Sequence, residues 1–207
     1  AISGASGGDV GVAGAFAANV SVTSSEAYID GAASVNLGHG SKYGDLHITA
    51  ANTTTATVLA TAKATATSTS TTSTSVGVGG SLGVNVAVNT ARAELEDGAL
   101  LTGAGAVSLS ATGKHSVKTT ASAGSGGDVS VSPSIATSIA VNETLATIGS
   151  GNAITMDGDL SLSADHSGDA ATSVTADAAA RKAAVGVSMA ATVAIDTAEA
   201  SINRNVT

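Results

Sequence analysis

Apolar and small or polar residues alternate along most of the chain. Leu160, Leu162 and Ala164 fall on one side of a period of two, and Ser161 and Ser163 on the other. That period predicts a strand with two unlike faces. From Val12 to Val22, from Val78 to Val88 and from Val185 to Ile195 the larger apolar residues again keep even spacing, with Ala, Ser, Gly or Asn between them. Thr55 to Thr67 alternates Thr, Lys or Ser with Ala or Val and reads as a further strand. Gly14, Gly80 and Pro133 share one phase, which predicts a bend or bulge, because both residue types weaken a straight central strand. The dense alanines of Asp177 to Ala184 admit a helix as the alternative, but the matching segments elsewhere read as strand or loop.

The alternation recurs in phase. Val20-Ser21-Val22-Thr23, Val86-Ala87-Val88-Asn89, Ile139-Ala140-Val141-Asn142 and Val193-Ala194-Ile195-Asp196 align without gaps. The fourth residue of each stands at 23, 89, 142 and 196, giving spacings of 66, 53 and 54. Val12, Val78, Val131 and Val185 match upstream, then Phe16, Leu82, Ile135 and Met189, then Val20, Val86, Ile139 and Val193; Ile29, Leu95, Ile148 and Ile202 match downstream. These residues are expected to form a structural core ladder. Leu46-His47-Ile48-Thr49-Ala50, Val107-Ser108-Leu109-Ser110-Ala111 and Leu160-Ser161-Leu162-Ser163-Ala164 also align. The unit is near 53 residues, with copies over 9–74, 75–127, 128–181 and 182–207, the last incomplete. The first is lengthened by insertions around Asn36 to Tyr43 and in the tract Ser68 to Ser75.

Composition sharpens this picture. Hydrophobic residues make up 43% of the chain but aromatics only 1%, so few large side chains are available to anchor a compact core. A fold that stacks one thin layer many times suits small residues, since backbone ladders and many small contacts replace a few anchors. Charged residues at 12% argue against disorder, which favours high charge and low hydrophobicity. The net charge of −8 argues against nucleic acid, which calls for basic stripes. Without cysteine, disulfides and thiolate metal sites are excluded. The chain has no apolar run long enough to cross a membrane as a helix, so membrane insertion is not expected.

The expected fold is therefore an all-β, parallel β-helix-like β-solenoid spanning 1–207 as a single domain of tandem repeats. Its end layers would present open strand edges, which associate unless covered. The expected partners follow: end-to-end self-association, or continuation within a larger chain. Gly11-Val12-Ala13-Gly14-Ala15-Phe16-Ala17-Ala18-Asn19-Val20-Ser21-Val22, Glu26-Ala27-Tyr28-Ile29 and Gly158-Asp159-Leu160-Ser161-Leu162-Ser163-Ala164 resemble repeats of very large bacterial surface exoproteins, the haemagglutinin-like and autotransporter-type passengers. The resemblance implies a secreted β-helix acting as stalk, adhesin or fibre at the cell surface, and it carries no catalytic residues.

Candidate chemistry is sparse. Asp9 and Asp128 share a Ser-Gly-Gly-Asp-Val context that suits a calcium-binding turn or an Asx-type turn, and Asp157 and Asp159 flank Gly158 in the same way. Calcium needs six or more oxygens and no dense acidic cluster supplies them, so no cofactor is expected. The four histidines share no phase. Acids are dispersed and no Gly-x-Ser-x-Gly elbow appears, so an enzyme is not expected. The leading expectation is a structural module, a fibre subunit or stalk segment assembled by end-to-end stacking of β-coils. The alternatives are an adhesin with its contact loop at His39, Lys42 and Tyr43, and a surface or ice binder using the threonines of positions 53 to 72.

Overall fold

The computed structural model describes residues 1–68 and 73–207. The fold is all-β, with every named strand pairing parallel to its neighbour. The strands are β1 (Ile2–Ser6), β2 (Val10–Ile29), β3 (Ser34–Asn36), β4 (Gly44–Thr65), β5 (Val76–Leu95), β6 (Leu100–Thr102), β7 (Ala104–Ile148) and β8 (Leu160–Ile202). The main sheet runs β1-β4-β7-β5-β2, with β8 also on β7, while β3 and β6 pair separately. The sheet is nearly closed into a barrel-like arrangement. Its curvature comes from β7, whose first part pairs with β4 from Ala104 to Gly126 and whose last part pairs with β5 from Val129 to Ile148. The corner between them is Gly126-Gly127-Asp128, where the register with β8 also shifts. Two walls therefore face each other: β2, β5 and the ends of β7 and β8 on one side, β4 and the beginnings of β7 and β8 on the other.

The aligned segments of the sequence are ladder partners. Val20 pairs with Val86, Val86 with Ile139 and Ile139 with Val193. Gly80 and Pro133 mark a break in pairing rather than a bulge: β5 and β7 pair at Val78↔Val131 and again at Ser81↔Ser134 in unchanged register. Proline has no N–H to give the ladder, which accounts for the gap. The segment Asp177–Ala184 is strand, paired along β7 up to Ala180 and again from Ala183, so the helical alternative does not hold. Alanine's helix preference is weak against a neighbouring strand offering a full ladder.

The larger apolar residues expected in the core ladder stand on the outer face. Val20 is 72% exposed, Phe16 62% and Met189 56%; Val12, Leu82, Val185 and Val193 are exposed as well. Val78, Val86, Val131, Ile135 and Ile139 have ladder neighbours on both sides and are still only half-buried. The interior is lined by the alternate phase: Ala13, Ala15, Ala60, Ala62, Ala87, Ala136, Ala140, and the buried Asn85, Asn89, Ser130, Ser134, Ser138, Asn142 and Thr144. The reason is the spacing of the walls. A Cβ on Gly77 would lie 2.4 Å from the Gly126 carbonyl oxygen, and one on Gly79 2.2 Å from that of Gly124. A gap that rejects a methyl group there leaves no room nearby for valine or leucine. The expectation holds only at the far corner, where Leu95 and Ile148 are buried with Leu101, Val107, Leu109 and Ile154, and Ile29 packs against them. Ile202, on the outermost strand, stays exposed.

Candidate functional surfaces

Three features of the fold can act on something outside it: the interior polar network where it reaches the ends, the open strand edges, and the outer faces.

The interior is held by side-chain hydrogen bonds that run both along the ladders and between the walls. Thr23 Oγ1 donates to Asn89 Oδ1 (2.7 Å), Asn89 Nδ2 to Asn142 Oδ1 (2.6 Å), and Asn142 Nδ2 to Asp196 Oδ1 (2.6 Å). Asn19 Nδ2 donates to Asn85 Oδ1 at 2.9 Å. Across the gap, Asn85 Nδ2 reaches the Ala56 carbonyl (3.0 Å), Asn52 Nδ2 the Thr90 carbonyl (2.9 Å), and Thr119 Oγ1 pairs with Ser138 Oγ (2.6 Å). Buried polar groups carry such partners because leaving one unpaired costs about 1–3 kcal/mol. At positions 23, 89, 142 and 196, the ladder joins Thr, Asn, Asn and Asp.

Two histidines missed by phase arguments meet inside. Gly113 pairs with His166, and His115 with Gly168, so each ring lies over a glycine of the adjacent strand. A Cβ on Gly113 would stand 3.1 Å from His166 Nδ1. The ring centroids are 5.5 Å apart. His166 has Thr144 Oγ1 at 3.2 Å from Nδ1 and Asp196 Oδ1 at 3.1 Å from Nε2. Among the described residues neither nitrogen of the buried His115 has a hydrogen-bond partner. Burial, and then the nearby His166, push the His115 pKa below the ordinary imidazole value, against a smaller upward pull from Asp196. The sequence signal was a glycine two residues from each histidine in the inward phase, Gly113 before His115 and Gly168 after His166.

The acidic candidates do not converge. Asp128 is buried at the corner: its Oδ2 accepts from the Ser75 backbone N–H (3.0 Å) and hydroxyl (3.3 Å), and its Oδ1 meets Arg181 Nε at 3.0 Å. The Ser75 backbone bond, with Arg181 and Lys182 assisting, holds the carboxyl below the usual carboxylate range. Asp9 is exposed, and its carbonyl accepts from the Val76 N–H at 2.7 Å. Asp157 and Asp159 lie exposed in the turn before β8. Among the described residues no three His, Cys, Asp or Glu side chains are placed to hold one metal ion.

The candidate contact loop leaves the fold between Leu37 and Gly44, whose backbones are tied by Gly44 N–H to the Leu37 carbonyl (3.1 Å). At its tip His39 and Lys42 exchange backbone bonds of 2.9 and 3.1 Å around Gly40 (φ 62°) and Ser41. His39, Lys42 and Tyr43 are all exposed.

The outer faces differ sharply. On the wall of β2, β5 and the ends of β7 and β8, the outward residues are Val10, Val12, Gly14, Phe16, Ala18, Val20 and Val22 and their ladder partners, down to Val185, Val187, Met189, Val193 and Ile195. None of them is charged. On the opposite wall Thr49, Thr53, Thr55, Thr57, Thr61 and Thr65 point outward from β4, beside Ser110, Lys114, Ser116 and Lys118 of β7. Thr54 instead points inward, 2.9 Å from Thr23 Oγ1. Of the remaining threonines of the tract, Thr67 is exposed and bridges to Gly8, and Thr69, Thr71 and Thr72 lie outside the described residues.

Among the described residues the edges are open at both ends: β8 pairs with β7 alone over its 43 residues, and β2 with β5 alone over its 20. No protein-family model, curated protein or solved structure matches the chain.

Proposed function

We propose that the chain is a segment of a β-solenoid whose coils, each near 53 residues, stack end to end, and that it serves as a structural module such as a fibre subunit or stalk. The observation that carries this reading is the free edge of β8. Residues of a strand alternate in the side to which their N–H and C=O point, so β8 offers on the order of 20 N–H and 20 C=O groups to a further strand. An open edge this long is a template for pairing. No bulge, proline or inward-pointing lysine protects it between Val185 and Ile202. Its interior phase there (Gly186, Ser188, Ala190, Thr192 and Ala194) is small, as the narrow gap requires of a further layer. At the other end β2 offers Ala17, Asn19, Ser21 and Thr23 in the same phase, so Asp196 of one copy can meet Thr23 of the next and extend the polar ladder. The resemblance of the repeats to bacterial surface exoproteins supports reading this module as one that works outside the cell.

The test is a lysine in the interior phase of the last layer. Ala194 is exposed on the free edge, so Ala194→Lys keeps its charge in water in a single copy and buries it on stacking. Wild type is expected to form filaments visible by electron microscopy, and Ala194→Lys to stay dispersed with an unchanged circular dichroism spectrum. Filaments of equal length from both would overturn the reading.

A second reading rests on the protruding His39–Tyr43 loop, which is exposed and disturbs the β4–β7 ladder only by a register shift between Gly44 and Leu46, and so is free to act as an adhesin's contact loop. Deleting Leu37 to Lys42 should then remove ligand binding and leave assembly intact.

A further inference from the structure

We propose that the uncharged apolar wall is an interface, and that a second copy of this chain covers it face to face. The patch runs from Val10 to Val22 along the strands, about 43 Å, and across four strands, about 19 Å, or about 800 Å². The largest apolar patch of an ordinary monomer is about 300–600 Å². A specific dimer buries about 800 Å² on each partner, so this wall alone matches what one needs.

Shape and charge favour a second copy over other occupants. The ladders draw straight ridges across the strands, one through Val12 and Val78, the next through Phe16 and Leu82. Between them Gly14, Gly80 and Pro133 leave a groove, lined on its far side by Phe16, Leu82 and Ile135. Ridge and groove of equal period lie on one surface, so a two-fold axis lying in the interface, parallel to the ridges and midway between ridge and groove, lets each copy's Phe16–Ile135 ridge enter the other's groove. Sheets packed in this way stand about 10 Å apart with side chains interdigitated. The chain carries a net charge of −8, yet no charge lies in the patch, so two copies meet without desolvating a like-charged pair. The charges stand at its margins, Arg181 and Lys182 beyond one end and Glu26, Arg92, Glu94 and Glu143 beyond the other, as a polar rim. A lipid surface is disfavoured: faces that lie in membranes carry Trp and basic residues at the rim, and here Tyr28 is the sole outward aromatic beside the patch and acids outnumber bases at the nearer margin. The pairing is lateral, perpendicular to edge stacking, and it does not depend on that stacking.

The experiment uses the Ala194→Lys chain, so that edge stacking is suppressed, and sedimentation equilibrium at about 1–100 µM. Dimers are expected. Replacing Val20, Val86, Ile139 and Val193 together by Thr keeps the β-branched backbone preference and removes apolar surface; it should weaken the dimer at least tenfold. A monomer throughout that range, or a dimer unaffected by the four threonines, overturns the proposal, as does flotation of the monomer with phosphatidylcholine vesicles. In the unblocked chain, which has no cysteine of its own, Leu82→Cys should be cross-linked between copies by a bis-maleimide spanning about 10 Å, the spacing of packed sheets, and Thr57→Cys on the opposite wall should not. Equal cross-linking from both walls, or none from Leu82→Cys, also overturns it.

Discussion

Asn142→Ala and Val86→Thr should differ in cost in the direction opposite to the usual ranking of apolar and polar residues. Asn142 is 3% exposed and is the middle of the chain Thr23–Asn89–Asn142–Asp196. Truncation leaves the Asn89 amide without its acceptor, at about 1–3 kcal/mol, and removes a hydrogen bond to a carboxylate worth about 1.5–3 kcal/mol. Asp196 keeps His166 at 3.1 Å and stands at the open end, so the second figure falls toward its lower bound. The sum is about 3 kcal/mol, or a fall of about 6–12 °C in melting temperature for a chain of this length. Val86 points outward between Val20 and Ile139, and threonine there keeps the branched Cβ; the expected cost is below about 1 kcal/mol. Thermal and urea unfolding followed by circular dichroism, below about 1 µM to keep copies separate, measures both. A larger loss from Val86→Thr than from Asn142→Ala would refute the inside-out assignment of the two phases.

Other consequences are equally direct. Gly79→Val should be among the most damaging single changes, about 3 kcal/mol or more, because its Cβ meets a backbone carbonyl that cannot swing aside; urea midpoints test it against Gly14→Val, where a Cβ meets nothing. Arg204 donates to the Ala99, Glu96 and Ser150 carbonyls at 2.7, 2.8 and 2.9 Å and also to Gly149, so Arg204→Met should cost about 2–3 kcal/mol and loosen the corner, read by hydrogen exchange at Gly98 and Ile154. His115 sits below its ordinary pKa in the fold, so the unfolded chain takes up its proton first. Stability contributed by neutral His115 is complete above pH 6.5 and is lost as pH falls below it. His115→Thr, which copies its ladder partner Thr54, should flatten the urea midpoint between about pH 7 and pH 5; an unchanged slope would contradict this.

Much of the fold was legible in the sequence, and the limits have a physical origin. A period of two tells which residues share a face, and in-phase matches tell which residues stand side by side. Hence the pairing of Val20, Val86, Ile139 and Val193 could be read directly. Alternation does not tell which face is inside. The usual rule assigns the larger apolar phase to the core, and here it fails for Val12, Phe16 and Met189, because the walls come so close around Gly77 and Gly79 that the inward phase there is glycine, alanine and serine; farther along, the interior takes Val58 and Thr119 opposite Gly83. The signal was present in the other phase: Gly77, Gly79 and Gly83 alternate in one strand, and polar residues recur at Thr23, Asn89, Asn142 and Asp196, where a wet surface would not demand them. Leu95 and Ile148 obeyed the rule because the corner is wide. The His115–His166 pair was invisible to phase arguments because the rings occupy adjacent positions two residues apart, each over the other's glycine. The Gly126-Gly127-Asp128 corner was readable as a turn, but the partners of the Asp128 carboxylate, Ser75 and Arg181, come from segments with no motif linking them to it.

Fibre diffraction tests the stacking of open edges most directly. Coils added along one axis place every strand perpendicular to it, so an aligned wild-type specimen should give a sharp meridional reflection near 4.8 Å that is absent from Ala194→Lys prepared in the same way. A 4.8 Å reflection on the equator, or a meridian that is blank for wild type, would contradict end-to-end assembly.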